Sequence, residues 1–161
     1  MKLFGFLGLA LFAAAGTANA PDGEWRSVGG TGTASAAIDF SSVSSDGTKR
    51  IFQIAVAFDV LSNDGVDYLV GTQTLDCAAR TIQTLQTTSY TLDGAIVATS
   101  QTVMPAFRIE PGAMAETYAR AVCDGVWERT SGFSDPLQFI VASRQASGTR
   151  PEQPQMSRDS Q

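Results

Sequence analysis

The run Ile51 to Val60, IFQIAVAFDV, alternates so regularly that it constrains the fold more than any other stretch of the chain. Phe52, Ile54, Val56, Phe58 and Val60 fall on one face at period 2, and Ile51, Gln53, Ala55, Ala57 and Asp59 on the other. A strand with one large-apolar face is required. Its second face carries small residues and Ile51 and is expected to be partly covered as well, which suits a central strand. Asn63, Asp64 and Gly65 then supply a turn, because these residue types tolerate positive φ, and Val66 to Asp76 is the next strand.

In that second strand Leu69, Leu75 and Cys77 share one parity, so the cysteine points where the leucines point. Cys77-Ala78-Ala79 makes a tight reversal into Arg80 to Leu92, a Thr-rich strand with Ile82, Tyr90 and Leu92 on one parity. Asp93-Gly94 signals a two-residue hairpin into Ala95 to Thr102. Upstream, Trp25 to Val28 and Ser35 to Phe40 are shorter strands separated by the glycine-rich loop Gly29 to Gly32. The expected architecture is α+β: an antiparallel β-sheet of about six strands, arranged as a meander, with one C-terminal α-helix packed on it.

The helix follows a change of period. After Pro111-Gly112, Met114, Tyr118, Ala121 and Val122 recur at helical spacing, with Pro111 suited to the first turn. Glu116 and Arg120, four apart, are expected to pair on its outer side. Cys123 ends it. Beyond, Trp127, Phe133 and Leu137 to Val141 read as a last strand or a segment on the sheet edge. From Ser143 the composition turns to Ser, Arg, Gln, Gly and Pro, so residues 143–161 are expected to be a disordered tail.

At the other end, Lys2, the apolar run Leu3 to Ala15 and the small-x-small sequence Ala18-Asn19-Ala20 form a secretory signal peptide, residues 1–20, with cleavage expected after Ala20. The apolar run is short of the roughly 20 residues that cross a bilayer, so no membrane span is expected in the mature chain. The first mature residue would be Pro21, not a lipid-accepting cysteine. The remaining 21–142 is one domain in size, in the periplasm or secreted.

Export gives the cysteines their meaning. Cys77 and Cys123 are the two cysteines of the chain, and two thiols delivered together to an oxidising compartment are expected to join as a disulfide. A redox-active pair would want close spacing and a cationic setting, whereas these are far apart and flanked by Asp76 and Asp124. Metal binding by two cysteines without a histidine is disfavoured further.

Composition removes most chemistry. The chain has no histidine, which excludes Ser-His-Asp and Cys-His catalysis. Catalysis by carboxylates alone would have to draw on Asp39, Asp59, Asp67 and Asp76, on or beside strands. The simpler reading makes Asp39 a strand-end residue, the others solvated, and Asp46, Asp64 and Asp93 turn residues beside glycine. No catalytic residue, cofactor or metal site is expected, and the protein is not expected to be an enzyme. Gly29 to Gly32 lacks the GK[ST] that a phosphate loop needs and reads as a flexible linker, as does Ser41 to Ser45. The net charge is −5, and loss of Lys2 with the signal leaves −6, with basic residues scattered singly apart from Lys49-Arg50. Nucleic acid and anionic lipid are therefore not expected partners.

Several ordered segments carry a resemblance: Ile38-Asp39-Phe40 with Val43, the long alternating strand, Leu75-Asp76-Cys77, Ser89 to Gly94, Ile109-Glu110-Pro111-Gly112 and Ala121-Val122-Cys123. From Trp25 to Cys123 the chain resembles the surface-adhesin protein E family. That resemblance implies a small antiparallel sheet with a helix held on it by a disulfide corresponding to Cys77 and Cys123. The function expected is a non-catalytic binding or adhesion module of the bacterial cell envelope with an envelope or extracellular protein as partner. The alternative is a structural or accessory envelope protein without a specific ligand.

Overall fold

In a computed structural model the described residues are 24–59, 65–126 and 132–148. Seven strands and two helices follow in the order β1 (Trp25–Gly30), β2 (Ala34–Asp46), β3 (Lys49–Phe58), β4 (Tyr68–Asp76), β5 (Thr81–Tyr90), β6 (Ile96–Ser100), β7 (Phe107–Arg108), α1 (Met114–Val122) and α2 (Pro136–Ala146). The strands form one antiparallel sheet in the order β1-β2-β3-β4-β5-β6, with β7 also pairing β5. Hence the expected meander is observed. The expected signal peptide, the residues Asn63 and Asp64 of the turn after β3, and Trp127 lie outside the described residues.

Alternation along β2 and β3 explains why the sheet needs two covers. Ala36, Ile38, Phe52 and Ile54 enter one core together with Leu75, Ile82 and the helix α1 residues Tyr118, Ala119 and Ala121. Their sequence neighbours Ala37, Ala55 and Ala57 enter a second core with Trp25, Tyr68 and the α2 residues Phe139 and Ile140. Since successive strand residues point to opposite faces, α1 and α2 cover opposite faces of the sheet. Burial pushes the Tyr118 phenol pKa upward, as desolvation disfavours the phenolate. The small side chains of β3 that suggested a central strand are the ones on which α2 lies.

One helix was expected, and the second is a correction. Leu137 to Val141 belongs to α2, whose start follows ordinary capping chemistry: Asp135 is the N-cap and accepts from Gln138 N at 2.9 Å, with Pro136 in the first turn. The helix continues to Ala146, through Ser143, where the sequence suggested that a disordered tail begins. Composition misleads here because Arg144 is buried, at 5 % exposure, and its Nη2 donates to Asp67 Oδ1 at 2.8 Å.

Other departures have equally local causes. Ser41 to Ser45 is part of β2 rather than a linker. Between Asp39 and Ser44 the ladder shifts register, and serine hydroxyls replace the lost backbone partners: Ser42 Oγ donates to Asp39 O and accepts from Gln53 N. Gly29 and Gly30 likewise lie in β1. A bulge in β5 leaves Leu85 without a partner, since Gln86 faces Thr72 and Thr84 faces Gln73. Ile82 and Tyr90, expected on one face, are thereby sent to opposite cores. The β5–β6 connection runs from Thr91 to Ala95, longer than the two-residue hairpin expected, because Thr91 N donates to Ala95 O across it. Pro111 precedes the helix, whose N-cap is Ala113, and Glu116 accepts from Gly112 N at 2.7 Å instead of serving Arg120.

Candidate functional site

The structure joins Cys77 and Cys123 in a disulfide with Cα atoms 5.6 Å apart and a sequence separation of 46. It ties the β4–β5 turn to the C-cap of α1. In the same turn Asp76 Oδ1 accepts from Ala78 N and Ala79 N, and the Ala79 bond foremost lowers the Asp76 pKa. Arg80 adopts φ +53, its carbonyl accepts from Ile109 N, and its guanidinium reaches Asp124 at 3.5 Å. The disulfide and the Arg80–Asp124 pair hold helix to sheet, while Asp76 fixes the turn they start from.

The candidate carboxylates are also occupied structurally. Asp39, 8 % exposed, accepts from Glu24 N, Ser41 N and Ser41 Oγ. Asp59 accepts from Ser147 Oγ at 3.1 Å. Asp67 was expected to be solvated but is buried, with Oδ2 accepting from Leu92 N and Oδ1 from Arg144. The reason is that α2, unforeseen, brings Arg144 to it. Among the described residues no three His, Cys, Asp or Glu side chains are grouped so as to hold a metal ion, and no helix is long and apolar enough to cross a membrane.

What the scaffold presents to solvent is more informative. The two sheet edges are treated differently. At β1, Trp25 and Phe133 exchange backbone hydrogen bonds of 3.1 and 2.8 Å, so the segment leading to α2 caps the start of that edge. At the other edge, the upper half of β5 pairs with β6 and the lower half with β7, and Met104 N donates to Thr84 O between them. Every residue from Asp93 to Arg108 is exposed. Ile96, Val97, Val103, Met104 and Phe107 stand out as large apolar side chains, Ile96 reaching 65 % exposure. From Gly94 to Phe107 there is no charged residue. Measured along β5, this edge is roughly 30 Å long.

An exposed, uncharged edge of that kind is a hazard that proteins ordinarily blunt with lysine, proline or a covering segment. Here the blunting is slight: β6 is short, a bulge leaves Val97 unpaired, and Pro105 interrupts the strip beyond it. Sequence reading placed the strand but not its exposure, although the absence of charge from Gly94 to Phe107 was a visible signal. A second surface is an open groove of 480 Å³ between α2 and β1–β2, lined by Phe133, Phe139, Ala142 and Ala146 with Ser27 and Gly30. No charged side chain lines it.

A disulfide-stapled antiparallel sheet, covered by a helix on each face and left open along one apolar edge, defines a small α+β scaffold. The family comparison agrees with that class: the Surface-adhesin protein E description matches residues 25–124, and the chain belongs to that family. The match stops just past Cys123, so α2 lies beyond it. No curated protein matches the chain. Among solved structures, it is similar to Haemophilus influenzae protein E in crystal form II at 18% identity and a TM-score of 0.47, covering 56% of this chain and 80% of that one. The selenomethionine form of protein E gives 16% identity, a TM-score of 0.45 and coverage of 59% and 83%. A further protein E structure gives 14% identity and 0.45, covering 73% and 96%.

Proposed function

We propose that this protein is an exported, non-catalytic binding module of the bacterial cell envelope that engages a protein partner through the β6–β7 edge. The observation that carries the reading is the strip from Gly94 to Phe107, uncharged and exposed throughout, which runs through β6 and into β7 along one side of the sheet. Apolar side chains held in water on a rigid scaffold mark interaction sites, and membership of a surface-adhesin family supports an extracellular partner. Cleavage after Ala20 would release the domain to the periplasm or the surface. The alternative of a purely structural envelope protein is less well supported, because such a role would not keep this edge free of charge.

The test compares the exported protein with a variant carrying Val97→Lys and Met104→Lys. Both positions are exposed, and surface changes of this type ordinarily alter stability by no more than about 0.5 kcal/mol. Saturable binding to an envelope or extracellular-matrix extract is expected for the parent and loss of it for the variant, with unchanged thermal melting. Equal binding by both would refute the assignment.

A further inference from the structure

We infer that the β6 edge takes up an extended, uncharged segment of its partner as an additional antiparallel strand, with a basic residue of that segment near Asp93 and an acidic one near Arg108. The inference rests on the reading that this edge is the contact surface, and adds how the contact is made and what chemistry the partner presents.

The backbone comes first. The sheet order ends at β6, which is bonded to β5 on one side. In a strand, alternate residues direct N–H and C=O to opposite sides, so about half of the polar backbone of Ile96–Ser100 faces outward. Strand addition satisfies those groups through the partner's main chain, while its alternate side chains provide selectivity. Among the described residues the opposite edge is engaged at Trp25 by Phe133 and is distorted beyond it by a register shift between Ser27 and Gly29. Strand addition is therefore assigned to β6, whose outer side pairs with no described strand.

The side chains then restrict the occupant. Ile96, Val97 and Thr99 are β-branched and favour a pleated neighbour of the same type. The strip holds no charge to pair with one in the middle of an incoming segment, so a charge there would lose water without gaining a counterion. The ends differ. Asp93 stands at the β5–β6 turn, and its carboxyl pKa lies below the ordinary range because Thr91 Oγ1 donates to it first and Ala95 N second. Arg108 stands at the far end, opposite Thr81 on β5, and makes no ion pair among the described residues. An antiparallel arrangement matches the rest of the sheet and is the slightly more stable ladder per residue. In that direction the incoming segment begins with its acidic residue toward Arg108 and ends with its basic residue toward Asp93.

The probe is a capped undecapeptide, Glu-Thr-Val-Thr-Val-Thr-Val-Thr-Val-Thr-Lys, whose ends stand roughly 33 Å apart when extended, titrated into the isotopically labelled full exported chain and followed by backbone amide spectra. The expected result is saturable shifts confined to residues 95–108, with new protection from solvent exchange at alternate amides of 96–100. Methylating the peptide's valine nitrogens in one analogue and its threonine nitrogens in another should separate the two: one analogue weakens at least tenfold and the other stays within about threefold. Val97 has no partner on β5, so Val97→Pro should weaken binding at least tenfold while leaving the circular dichroism unchanged. Exchanging the terminal charges should weaken binding severalfold at low salt.

Any of four results overturns the inference: no binding, equal binding by both methylated analogues, shifts that cluster at Phe133 and Phe139, or a self-associated protein whose β6 amides are protected before peptide is added. Failure here with the Val97→Lys, Met104→Lys variant still losing its envelope binding leaves the edge assignment standing and removes strand addition alone. Failure of both removes the two together.

Discussion

Replacing Arg144 by methionine tests how α2 is fixed to the sheet. Arg144 and Asp67 are both nearly buried, with side-chain exposures of 7% and 12%, and Nη2 lies 2.8 Å from Oδ1. The same Nη2 also donates to Asp67 O at 3.2 Å, while Asp67 Oδ2 accepts from Leu92 N at 2.6 Å. Methionine keeps much of the volume but leaves the carboxylate without its cation. Breaking one side of a buried pair costs about 3–5 kcal/mol. With a urea slope of roughly 1.5 kcal/mol/M for a domain of this size, the unfolding midpoint should fall by about 2–3 M. The double variant Arg144→Met, Asp67→Asn should recover at least half of that loss, because the desolvation cost of an unpaired charge disappears. Urea unfolding followed by tryptophan fluorescence measures both, and amide exchange should show the α2 amides opening first in the single variant. A loss under about 1 kcal/mol for Arg144→Met would refute the reasoning and assign the anchoring of α2 to Phe139 and Ile140 alone.

Removing the disulfide through Cys77→Ala and Cys123→Ala should cost about 4 kcal/mol by the chain-entropy relation for its sequence separation of 46; urea unfolding measures it, and a change below about 1 kcal/mol would deny the staple. Asp76 has a folded-state pKa below its ordinary value, principally through the Ala79 N–H bond. Its stabilisation is therefore complete above the unfolded pKa of about 3.9 and lost as pH falls through the lower folded value. In Asp76→Asn the acid dependence of the melting temperature should be shallower below pH 4, and an unchanged slope would contradict the assignment. Asp135→Ala removes the α2 N-cap bond to Gln138 N and should cost about 1 kcal/mol in thermal or urea unfolding.

Which parts of this structure are visible in the sequence follows from the range of the forces involved. The β3 alternation, the inward parity of Leu75 and Cys77, and the spacing of Tyr118 and Ala121 report local geometry, and the strands and α1 appear where that geometry puts them. A bulge is a single-residue event that parity cannot register, which is why Leu85 sends Tyr90 to the face opposite Ile82. The helix α2 had a readable start in Asp135-Pro136, but its short apolar run, Leu137 to Val141, suits a strand equally well. Arg144 looked like a tail residue since its partner is supplied by β4 and its flank, a contact that no local pattern encodes. The apolar edge was half legible: its lack of charge is written in the sequence, whereas its exposure depends on both helices covering the sheet elsewhere.

The central claim is that contact with the partner occurs along residues 95–108. Hydrogen–deuterium exchange on the exported protein, alone and saturated with its captured envelope partner, tests it most directly. The account predicts that slowed exchange concentrates in β6, the 101–106 segment and β7. Protection concentrated instead at the α2 groove around Phe133 and Phe139, or at the Cys77–Cys123 end, with residues 95–108 unchanged, would contradict it.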